Sequence, residues 1–515
     1  MTDVLFGQAY YLRFDAKLWA AMEPYPPLGA LYAAAVLRER GFEVALFDSM
    51  LAGSEGEWAE ALERHQPRFA VIYEDNFNYL TKMCLLRMRE AAFTMIAMAR
   101  ERGCRVVVAG SDATDFAEEY LRRGAEVVLL GEGEESLAEV IDVLGGRSGR
   151  RLADIQGIAF EERDAPGSCR RNERRSVIRE LETLPLPAWD LVDMERYRSI
   201  WLARHGRFSL NMVTTRGCPY HCNWCAKPLW GQRYHVRSPE HVVGELKMLV
   251  ERYAPDHIWF MDDIMGLKPS WFPRFADLLE RDGIRIRFKC LTRPDLLLRE
   301  GTIEAMRRAG CEVVWIGAES GSQKILDAME KGTTVGQIAE AAARLRTAGI
   351  KIAFFLQFGY PGETRDDVER TLQMVRDCRP DDVGMSVSYP LPGTPFHERV
   401  REQLGERQHW EDSDDLAMMY RGPFTTEFYR QLHTVLHTEF RARNRGRELL
   451  LLARQPWRLR PRHAVQAGGV LYRWGRLPLE RRRLDRLAAV PHEGIGELSP
   501  ALSADEAARP SPQPE

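Results

Sequence analysis

The sequence predicts an α/β protein in which a doubly wound parallel sheet is followed by a partial barrel and a helical C-terminal region. In residues 1–147, short apolar and β-branched runs alternate with helical patterns, which is typical of a parallel sheet covered by helices on both faces. The alternation returns with six longer β/α units in residues 208–395, which indicates a partial (β/α)6 barrel of the TIM type. Both folds bind ligands beyond the carboxyl ends of their strands.

The first unit, residues 1–147, contains five candidate strands, which are VLF (4–6), FEVALFD (42–48), FAVIYED (69–75), CRVVVAG (104–110) and AEVVLLG (125–131). Helical patterns separate them, and the helix predicted over 26–41 ends at Gly41, a usual stop signal. Residues 148–207 are mostly polar and turn-rich, so we predict a connector that carries a small surface hairpin.

The second unit, residues 208–395, contains six candidate strands with helical patterns between them. The strands are SLNMVTT (209–215), HIWFMDD (257–263), IRFKCLT (286–292), VVWIGAES (313–320), IAFFLQFG (352–359) and VGMSVSYP (383–390). Residues 396–490 are mostly helical and basic, and we predict a cap over the barrel mouth, with a membrane-surface or partner helix as the alternative. The tail, residues 491–515, is predicted to be disordered from its composition.

The composition excludes several classes of protein. A net charge of −3, from 72 basic and 75 acidic residues, gives no reason to expect a nucleic-acid partner. No run of apolar residues is long enough to span a bilayer, and the N-terminus lacks the pattern of a secretion signal. We therefore expect a cytoplasmic protein, while membrane contact by the C-terminal region stays open. Nine cysteines are too few for a disulfide scaffold in a chain of this length.

Three of the cysteines form a motif directly after the first barrel strand. In TTRGCPYHCNWCAKP (214–228), Cys218, Cys222 and Cys225 are spaced C-x3-C-x2-C. Three thiolates can hold an iron–sulfur cubane and leave one iron open for a small ligand, and Trp224 can shield the cluster from solvent. Zinc is the alternative, but the sequence offers no second half-site with zinc spacing.

C-x3-C-x-aromatic-C after the first strand of a partial barrel resembles the radical S-adenosylmethionine (SAM) superfamily. The resemblance implies a [4Fe–4S] cluster whose open iron chelates SAM, and an external electron donor such as flavodoxin or ferredoxin. Reductive cleavage of SAM then gives a 5′-deoxyadenosyl radical that abstracts hydrogen from the substrate. By the same resemblance, the strand ends supply the SAM contacts, which we predict to be Asp262, Asp263, Arg293, Glu319, Ser320, Gln357 and Gly359.

The first unit resembles the cobalamin-binding domain of the radical SAM subfamily that includes the anaerobic magnesium-protoporphyrin ester cyclase and many natural-product methyltransferases. The resembling stretches are YPPLGALYAAAVLRERGFEVALFDSM (25–50), GSDAT (110–114) and VVLLGEGEESL (127–137). We predict that the loop YEDNFNYLTK (73–82) lies over the corrin edge. The resemblance implies cobalamin contacts from Pro27, Leu28, Gly29, Asp48, Met50, Gly53, Gly110, Ser111, Gly131, Glu132, Gly133 and Glu134.

One position departs from the cobalamin-binding pattern. Many such domains carry D-x-H-x-x-G, whose histidine ligates cobalt, whereas this chain reads Asp48-Ser-Met50-Leu-Ala-Gly53. Methionine therefore stands where the lower axial histidine would be. We interpret Met50 as part of the environment of the lower cobalt face and not as a ligand.

The two resemblances together predict a cobalamin-dependent radical SAM enzyme that methylates an unactivated carbon through the 5′-deoxyadenosyl radical and methylcobalamin. Ring formation and rearrangement are alternatives within the family, and a non-catalytic cobalamin or redox sensor is an alternative of another class. The expected substrate is a small molecule, namely a natural product, a lipid or a tetrapyrrole. The candidate catalytic residues are Tyr389 and His397, and Tyr420 and Phe424 are further candidates for the cavity wall.

Overall fold

The computed structural model of the chain describes residues 2–77, 83–162, 167–225, 229–454 and 460–490. The predicted disordered tail, 491–515, and the second half of the loop predicted to cover a corrin, 78–82, lie outside the described residues. The described residues confirm the predicted fold class, which is a doubly wound sheet followed by a six-stranded partial barrel and a helical C-terminus.

The first sheet has the strand order β2-β1-β3-β4-β5-β6-β7. The first five strands are parallel, and β6 and β7 form an antiparallel hairpin on the edge strand β5. This hairpin is the one predicted in the connector, and it extends the first sheet. The strands are β1 (Val4–Gly7), β2 (Val44–Leu46), β3 (Phe69–Tyr73), β4 (Arg105–Ala109), β5 (Val127–Leu129), β6 (Ile158–Glu161) and β7 (Cys169–Arg171).

The five parallel strands of this sheet are largely buried on both faces, which explains their near-continuous apolar sequences. All five residues of β3, FAVIY, are buried, for example. The covering helices are α1 (Ala16–Ala21), α2 (Leu28–Glu39), α3 (Gly56–His65), α4 (Leu86–Glu101), α5 (Ser111–Asp115), α6 (Ala117–Arg122) and α7 (Glu134–Gly145), and α8 (Met194–His205) leads into the barrel.

The partial barrel is a six-stranded parallel sheet in which strands follow each other in chain order. Its strands are β8 (Ser209–Met212), β11 (His257–Phe260), β12 (Arg287–Thr292), β13 (Cys311–Glu319), β14 (Lys351–Phe358) and β15 (Asp382–Val387), and a small antiparallel pair, β9 (Thr215–Arg216) and β10 (His235–Val236), lies outside this sheet. The helices are α9 (Pro239–Tyr253), α10 (Trp271–Arg281), α11 (Pro294–Leu297), α12 (Thr302–Arg308), α13 (Gln323–Ala328), α14 (Val335–Thr347), α15 (Arg365–Cys378) and α16 (Pro395–Val400).

The two units share a hydrophobic core. Leu28, Leu31 and Tyr32 of α2 belong to the same buried cluster as Leu210 and Met212 of the first barrel strand. The same cluster includes Tyr10, Met50 and Phe77, which follow β1, β2 and β3, and Met261, which follows β11. The carboxyl ends of strands in both sheets therefore lie in a packed interface between the units, where a ligand can contact both. The domain boundaries at 147, 207 and 395 stay predictions.

The C-terminal region is helical as predicted, but its helices lie beside the barrel. Two long helices, α17 (Thr426–Ala453) and α18 (Pro461–Ala488), pack against each other, and Arg376 of α15 binds Glu439 of α17 at 2.7 Å. The contacts with the strand ends are made largely by the connecting segment 401–425, where Tyr420 donates to the Gly359 carbonyl. Within the described ranges, no helix combines the length and apolar content of a membrane-spanning segment.

Candidate active site

The cysteine loop begins where β8 ends, at the carboxyl edge of the barrel. Cys218, Cys222 and Cys225 are half-buried thiols, and the Cys225 N–H donates to the Cys222 carbonyl at 3.2 Å. Gly217 precedes the first cysteine with φ of +79°. A Cβ there would lie 2.3 Å from the Arg233 carbonyl oxygen, so the close approach of the two segments requires glycine. The structure thus presents the three thiols on one tightly folded loop.

Asn223 fixes the loop between the second and third cysteines. Its side-chain amide donates to the Ala328 carbonyl at 2.8 Å, and its side-chain oxygen accepts from the Tyr360 hydroxyl at 2.9 Å. Its own N–H donates to the Met329 carbonyl at 3.1 Å. A buried amide with these partners ties the loop to the C-terminal end of α13 and to the segment that follows β14. We did not predict Asn223, and its only signal in the sequence is a polar residue inside C-N-W-C.

Arg293, a predicted SAM contact at the end of β12, lies under the same loop. Its guanidinium binds Asp295 at 2.9 Å and the Lys331 carbonyl at 2.9 Å, and it stacks on the Tyr220 ring at 3.6 Å from the centroid. Tyr220 belongs to the cysteine loop, so its stacking on Arg293 gives this arginine a positioning role. A contact between Arg293 and the SAM carboxylate stays a prediction.

Asp262, at the end of β11, holds the chain just before the cysteines. Met212 of β8 pairs with Phe260 of β11, so both segments leave the barrel at the same level. Asp262 therefore accepts hydrogen bonds from the Thr214 N–H at 2.7 Å and the Thr215 N–H at 2.8 Å. Burial raises the pKa of Asp262 to about 6, although these hydrogen bonds oppose the shift. The adjacent Asp263 is exposed.

The end of β13 carries a buried ion pair that the sequence did not reveal. Lys331 binds Glu319 at 2.7 Å, and the ammonium lies 5.9 Å from the centre of the Trp224 ring. Glu319 has φ of +54°, a conformation that non-glycine residues rarely adopt, and the register of β13 shifts beside it. The predicted neighbour Ser320 is buried against Thr371, with 3.1 Å between the hydroxyls.

At the end of β14, the buried Gln357 has a side-chain oxygen with no hydrogen-bond partner among the described residues. Gly359 donates to Glu363 at 2.7 Å, and a Cβ on Gly359 would lie 3.1 Å from Met418 of the connecting segment. Phe424, a candidate for the cavity wall, instead stacks on Phe428 with centroids 4.1 Å apart.

A cavity of about 330 Å³ lies between the first unit, the end of β15 and the connecting segment. Both candidate catalytic residues, Tyr389 and His397, line it, whereas Tyr420 and Phe424 are not part of its wall. The charged and titratable side chains of the wall, besides His397, are Asp112, Asp115, Arg401 and His409. The structure thus brings polar groups of both units to one cavity of the size of a small-molecule site.

The predicted cobalamin contacts gather at the carboxyl edge of the first sheet. The Asp48 carboxylate accepts from the Met50 N–H at 3.2 Å and from the Tyr197 hydroxyl at 2.8 Å. Burial raises the pKa of Asp48 to about 6, although both hydrogen bonds oppose the shift. Met50 is buried two residues after Asp48 in a 3-10 turn, so the departure from histidine lies inside the predicted site.

Backbone packing explains several of the predicted glycines. Gly29 is the second residue of α2 and directly follows the predicted contacts Pro27 and Leu28. Its N–H donates to the Asp75 carboxylate at 3.2 Å, and a Cβ on Gly29 would lie 3.3 Å from the Glu74 carbonyl oxygen. A Cβ on Gly110 would lie 2.8 Å from Cγ of Glu74. Gly131 donates to Thr114 at 3.1 Å, and Gly53 donates to Glu57 at 2.6 Å. These contacts position the loops, while direct contact with cobalamin stays a prediction.

The residues of this edge fit a ligand rich in amide groups such as cobalamin. Buried side chains after β1, β3 and β4 have polar atoms without a hydrogen-bond partner among the described residues, namely both amide atoms of Gln8, the Tyr10 hydroxyl, the Asn76 oxygen and the Ser111 hydroxyl. Buried polar groups are costly unless a ligand or water satisfies them. Apart from Ser111, we did not predict these residues, and their only signal is a polar side chain directly after an apolar strand.

Glu132 and Glu134, predicted as cobalamin contacts, instead bind a residue of the cysteine loop. Arg216, two residues before Cys218, forms ion pairs with both carboxylates, at 2.7 Å with Glu134. All three side chains are at least 94% buried, with exposed fractions of 4, 6 and 4%. Gly133 lies between them because a Cβ there would come within 2.9 Å of the Tyr73 hydroxyl. This triad joins the two units beside the cysteine motif.

The donor set of the loop fits an iron–sulfur cluster better than a structural zinc site. Thiolates are the usual ligands of such clusters. In the part of the chain that the structure describes, no three His, Cys, Asp or Glu side chains are arranged as a preformed metal site, the triplet included. Nothing described supplies the fourth protein ligand that structural zinc needs.

Comparison with known protein families agrees with this arrangement. Residues 212–375 match the model of the Radical SAM superfamily, and residues 21–141 match that of the B12 binding domain. The two matches together cover more than half of the chain, and they define an enzyme that joins a B12-binding domain to a radical SAM domain. The chain belongs to the cobalamin-dependent radical SAM enzymes, and its cofactors are a [4Fe–4S] cluster, SAM and cobalamin.

The relatives carry names of different activities, a methyltransferase and a cyclase among them. An uncharacterized methyltransferase from Pyrococcus horikoshii is 28% identical, over 72% of this chain and 78% of its own length. The anaerobic magnesium-protoporphyrin IX monomethyl ester cyclase of Cereibacter sphaeroides is 27% identical, over 58% of this chain and 48% of its own length. This chain therefore spans about half of that relative.

A solved structure shares the fold at low sequence identity. The radical SAM methyltransferase TsrM from Kitasatospora setae, with cobalamin and a [4Fe–4S] cluster bound, superimposes with a TM-score of 0.63. The superposition covers 78% of this chain and 75% of that chain, with 20% identity. At this identity the likeness establishes the fold alone.

Proposed function

We propose that this enzyme methylates an unactivated carbon of a small molecule. The observation that carries the proposal is the buried triad of Arg216, Glu132 and Glu134, which joins the cobalamin-binding unit to the cysteine loop. Cys218, Cys222 and Cys225, which would hold the cluster, and the edge of the first sheet, which would hold cobalamin, both border the interface that this triad closes. When bound, the cluster and SAM supply a radical that removes hydrogen, and cobalamin supplies a methyl group.

The protein's own residues position the cysteine loop. Asn223 anchors the loop, Arg293 stacks on Tyr220 in it, and Asp262 binds the backbone just before it. Lys331 places a buried cation beside Trp224 and Glu319. In the proposal, Asp262, Asp263, Glu319 and Gln357 contact SAM. Tyr389 and His397 contact the substrate in the 330 Å³ cavity, which favours a small natural product over a ligand as large as a tetrapyrrole.

The overall reaction needs reducing equivalents from outside the protein. Overall, two SAM, two electrons and the substrate C–H would give the methylated substrate, S-adenosylhomocysteine, methionine and 5′-deoxyadenosine. One electron would cleave the second SAM, and the other would return cobalamin to the state that accepts a methyl group. The hydrogen removed from the substrate is recovered in the 5′-deoxyadenosine. We propose a flavodoxin or ferredoxin as the electron donor, which agrees with the predicted cytoplasmic location.

Ring formation is the second candidate function, because the Cereibacter relative is named as a cyclase. The two candidates differ in the fate of the methyl group of SAM. A cyclase removes hydrogen without consuming that methyl group, whereas a methyltransferase must first move it to cobalamin.

The test is an anaerobic reaction of the reduced, cofactor-loaded enzyme with SAM that carries a deuterated methyl group. We expect cobalamin to gain the deuterated methyl group, together with an equal amount of S-adenosylhomocysteine, both measured by mass spectrometry. A cobalamin-free preparation of the same protein is the control and should form neither. Formation of 5′-deoxyadenosine without any labelled cobalamin would overturn the methyltransferase proposal and favour the cyclase.

A further inference from the structure

The exposed apolar side chains are concentrated in the C-terminal helical hairpin, defined as residues 426–490. Among the described residues, twelve large hydrophobic side chains are exposed, and eight of them lie in this hairpin. They are Leu450, Leu451, Val465, Leu471, Tyr472, Trp474, Leu479 and Val490. Scattered exposed hydrophobics are normal, but a concentration in one element indicates an interaction surface.

The helix α18 has one buried face and one exposed face, and the residues of each face recur every seven positions. Val470, Leu477 and Leu484 are buried against the rest of the protein. Val465, Tyr472 and Leu479 are 78, 62 and 63% exposed, and the same spacing continues to Arg486. A repeat of seven residues keeps each set on one side of a helix. The outward side of α18 is therefore apolar in its first half and basic in its last turns.

The hairpin carries a strong positive charge in a chain that is slightly acidic. Residues 426–490 contain 15 arginines, no lysine and 5 acidic residues, a net charge of +10, whereas the whole chain has −3. The exposed Arg482, Arg483 and Arg486 line an open groove of about 690 Å³ beside Leu479, together with Glu480 and Asp485. The partner of this surface should therefore be anionic and able to take up apolar side chains.

We propose that the outward face of the hairpin docks on the surface of an anionic lipid bilayer. Helices that lie flat in a membrane interface combine basic residues with Trp, Tyr and Leu, as this face does. None of the described helices could cross a membrane, so the hairpin would lie on the surface. A second copy of the chain is a poorer partner, because both copies would bring the +10 charge of the hairpin to the shared interface.

The outward face of the hairpin contains no residue of the cysteine loop, the cobalamin edge or the 330 Å³ cavity, so docking does not depend on the proposed reaction. Arg365 and Arg376 of α15 bind Asp485 and Glu439 of the hairpin at 3.0 and 2.7 Å, so docking would also bring the barrel close to the bilayer.

The test is co-sedimentation of the full-length, cofactor-loaded enzyme with vesicles of phosphatidylcholine alone and of phosphatidylcholine mixed with phosphatidylglycerol. We expect binding to the mixed vesicles that weakens as salt is raised. The triple variant Arg482→Gln, Arg483→Gln and Arg486→Gln should bind roughly a hundredfold more weakly. The matched control replaces three exposed arginines of the first unit, Arg64→Gln, Arg100→Gln and Arg122→Gln, and should bind like the wild type.

A second pair of variants tests the apolar contribution. Tyr472→Ser with Leu479→Ser should weaken vesicle binding roughly tenfold, whereas Leu186→Ser with Leu202→Ser, two exposed leucines outside the hairpin, should leave it unchanged. Circular dichroism should show that both pairs are folded. Equal binding to neutral and anionic vesicles, or none to either, would overturn the proposal. So would a dimer in analytical ultracentrifugation that Leu479→Ser dissociates, or tighter binding to duplex DNA than to the vesicles.

Discussion

Replacing Cys222 by alanine is expected to reduce the iron content of the reconstituted protein to background and to abolish reductive cleavage of SAM. The loop offers three thiolates, and two cannot hold a cubane with a single open iron. The measurements are iron and sulfide analysis, the visible absorbance of the cluster, and 5′-deoxyadenosine formation after reduction. This is the largest effect we expect from any single substitution, because it removes the source of the radical.

A matched control separates loss of a ligand from loss of a thiol. Cys169→Ala removes a half-buried cysteine in the hairpin of the first sheet, and this variant should keep its iron and its activity. If Cys222→Ala instead retains a full cluster, the triplet is not the ligand set. If the wild type binds zinc and no iron, the site is structural and the account of the chemistry fails.

The second large effect is expected at the triad that joins the two units. Arg216→Met leaves Glu132 and Glu134 buried without their cation, and removal of one partner of a buried ion pair typically costs about 3–5 kcal/mol of unfolding free energy. The measurement is urea unfolding followed by circular dichroism. Since Arg216 lies two residues before Cys218, we also expect this variant to lose iron faster to a chelator.

Two further variants test whether uncompensated buried charge causes the loss of unfolding free energy in Arg216→Met. Arg216→Met combined with Glu132→Gln and Glu134→Gln removes all three charges and should recover most of the lost stability. Arg151→Met, which removes an exposed ion pair with Asp154, should leave the unfolding curve unchanged. A single Arg216→Met variant as stable as the wild type would show that the triad does not hold the units together.

Much of the architecture could be predicted because buried parallel strands leave a strong pattern. The runs FAVIY and RVVVA are apolar on both faces, and each forms a strand where the pattern indicates it. The cysteine triplet was equally visible, since its spacing is local and its position after the first barrel strand is fixed by chain order. Only its chemistry required the comparison with known families.

The residues that position the site could not be predicted because their partners are distant in the chain. Asn223 bonds Ala328, 105 positions away, and Arg216 binds Glu132, 84 positions away. Neither pairing follows from local periodicity. The same holds for Lys331 and Gln8, whose importance appears only when strand ends from separate parts of the chain meet.

For the C-terminal region, the sequence predicted the helices but not their placement on the barrel. Its helical pattern was clear, but which surface the helices cover depends on ion pairs such as Arg376 with Glu439. The segment that closes the strand ends, 401–425, has little regular structure and hence no periodicity to detect.

The most direct test is a single anaerobic reaction of the reconstituted, reduced enzyme with SAM and cobalamin and no other substrate. We expect 5′-deoxyadenosine and methylated cobalamin both to form in the wild type, and 5′-deoxyadenosine to be absent in Cys222→Ala. Mass spectrometry of the quenched reaction measures both products. If wild-type protein shown to hold a complete [4Fe–4S] cluster and cobalamin forms neither product, the central claim of a cobalamin-dependent radical SAM enzyme is contradicted.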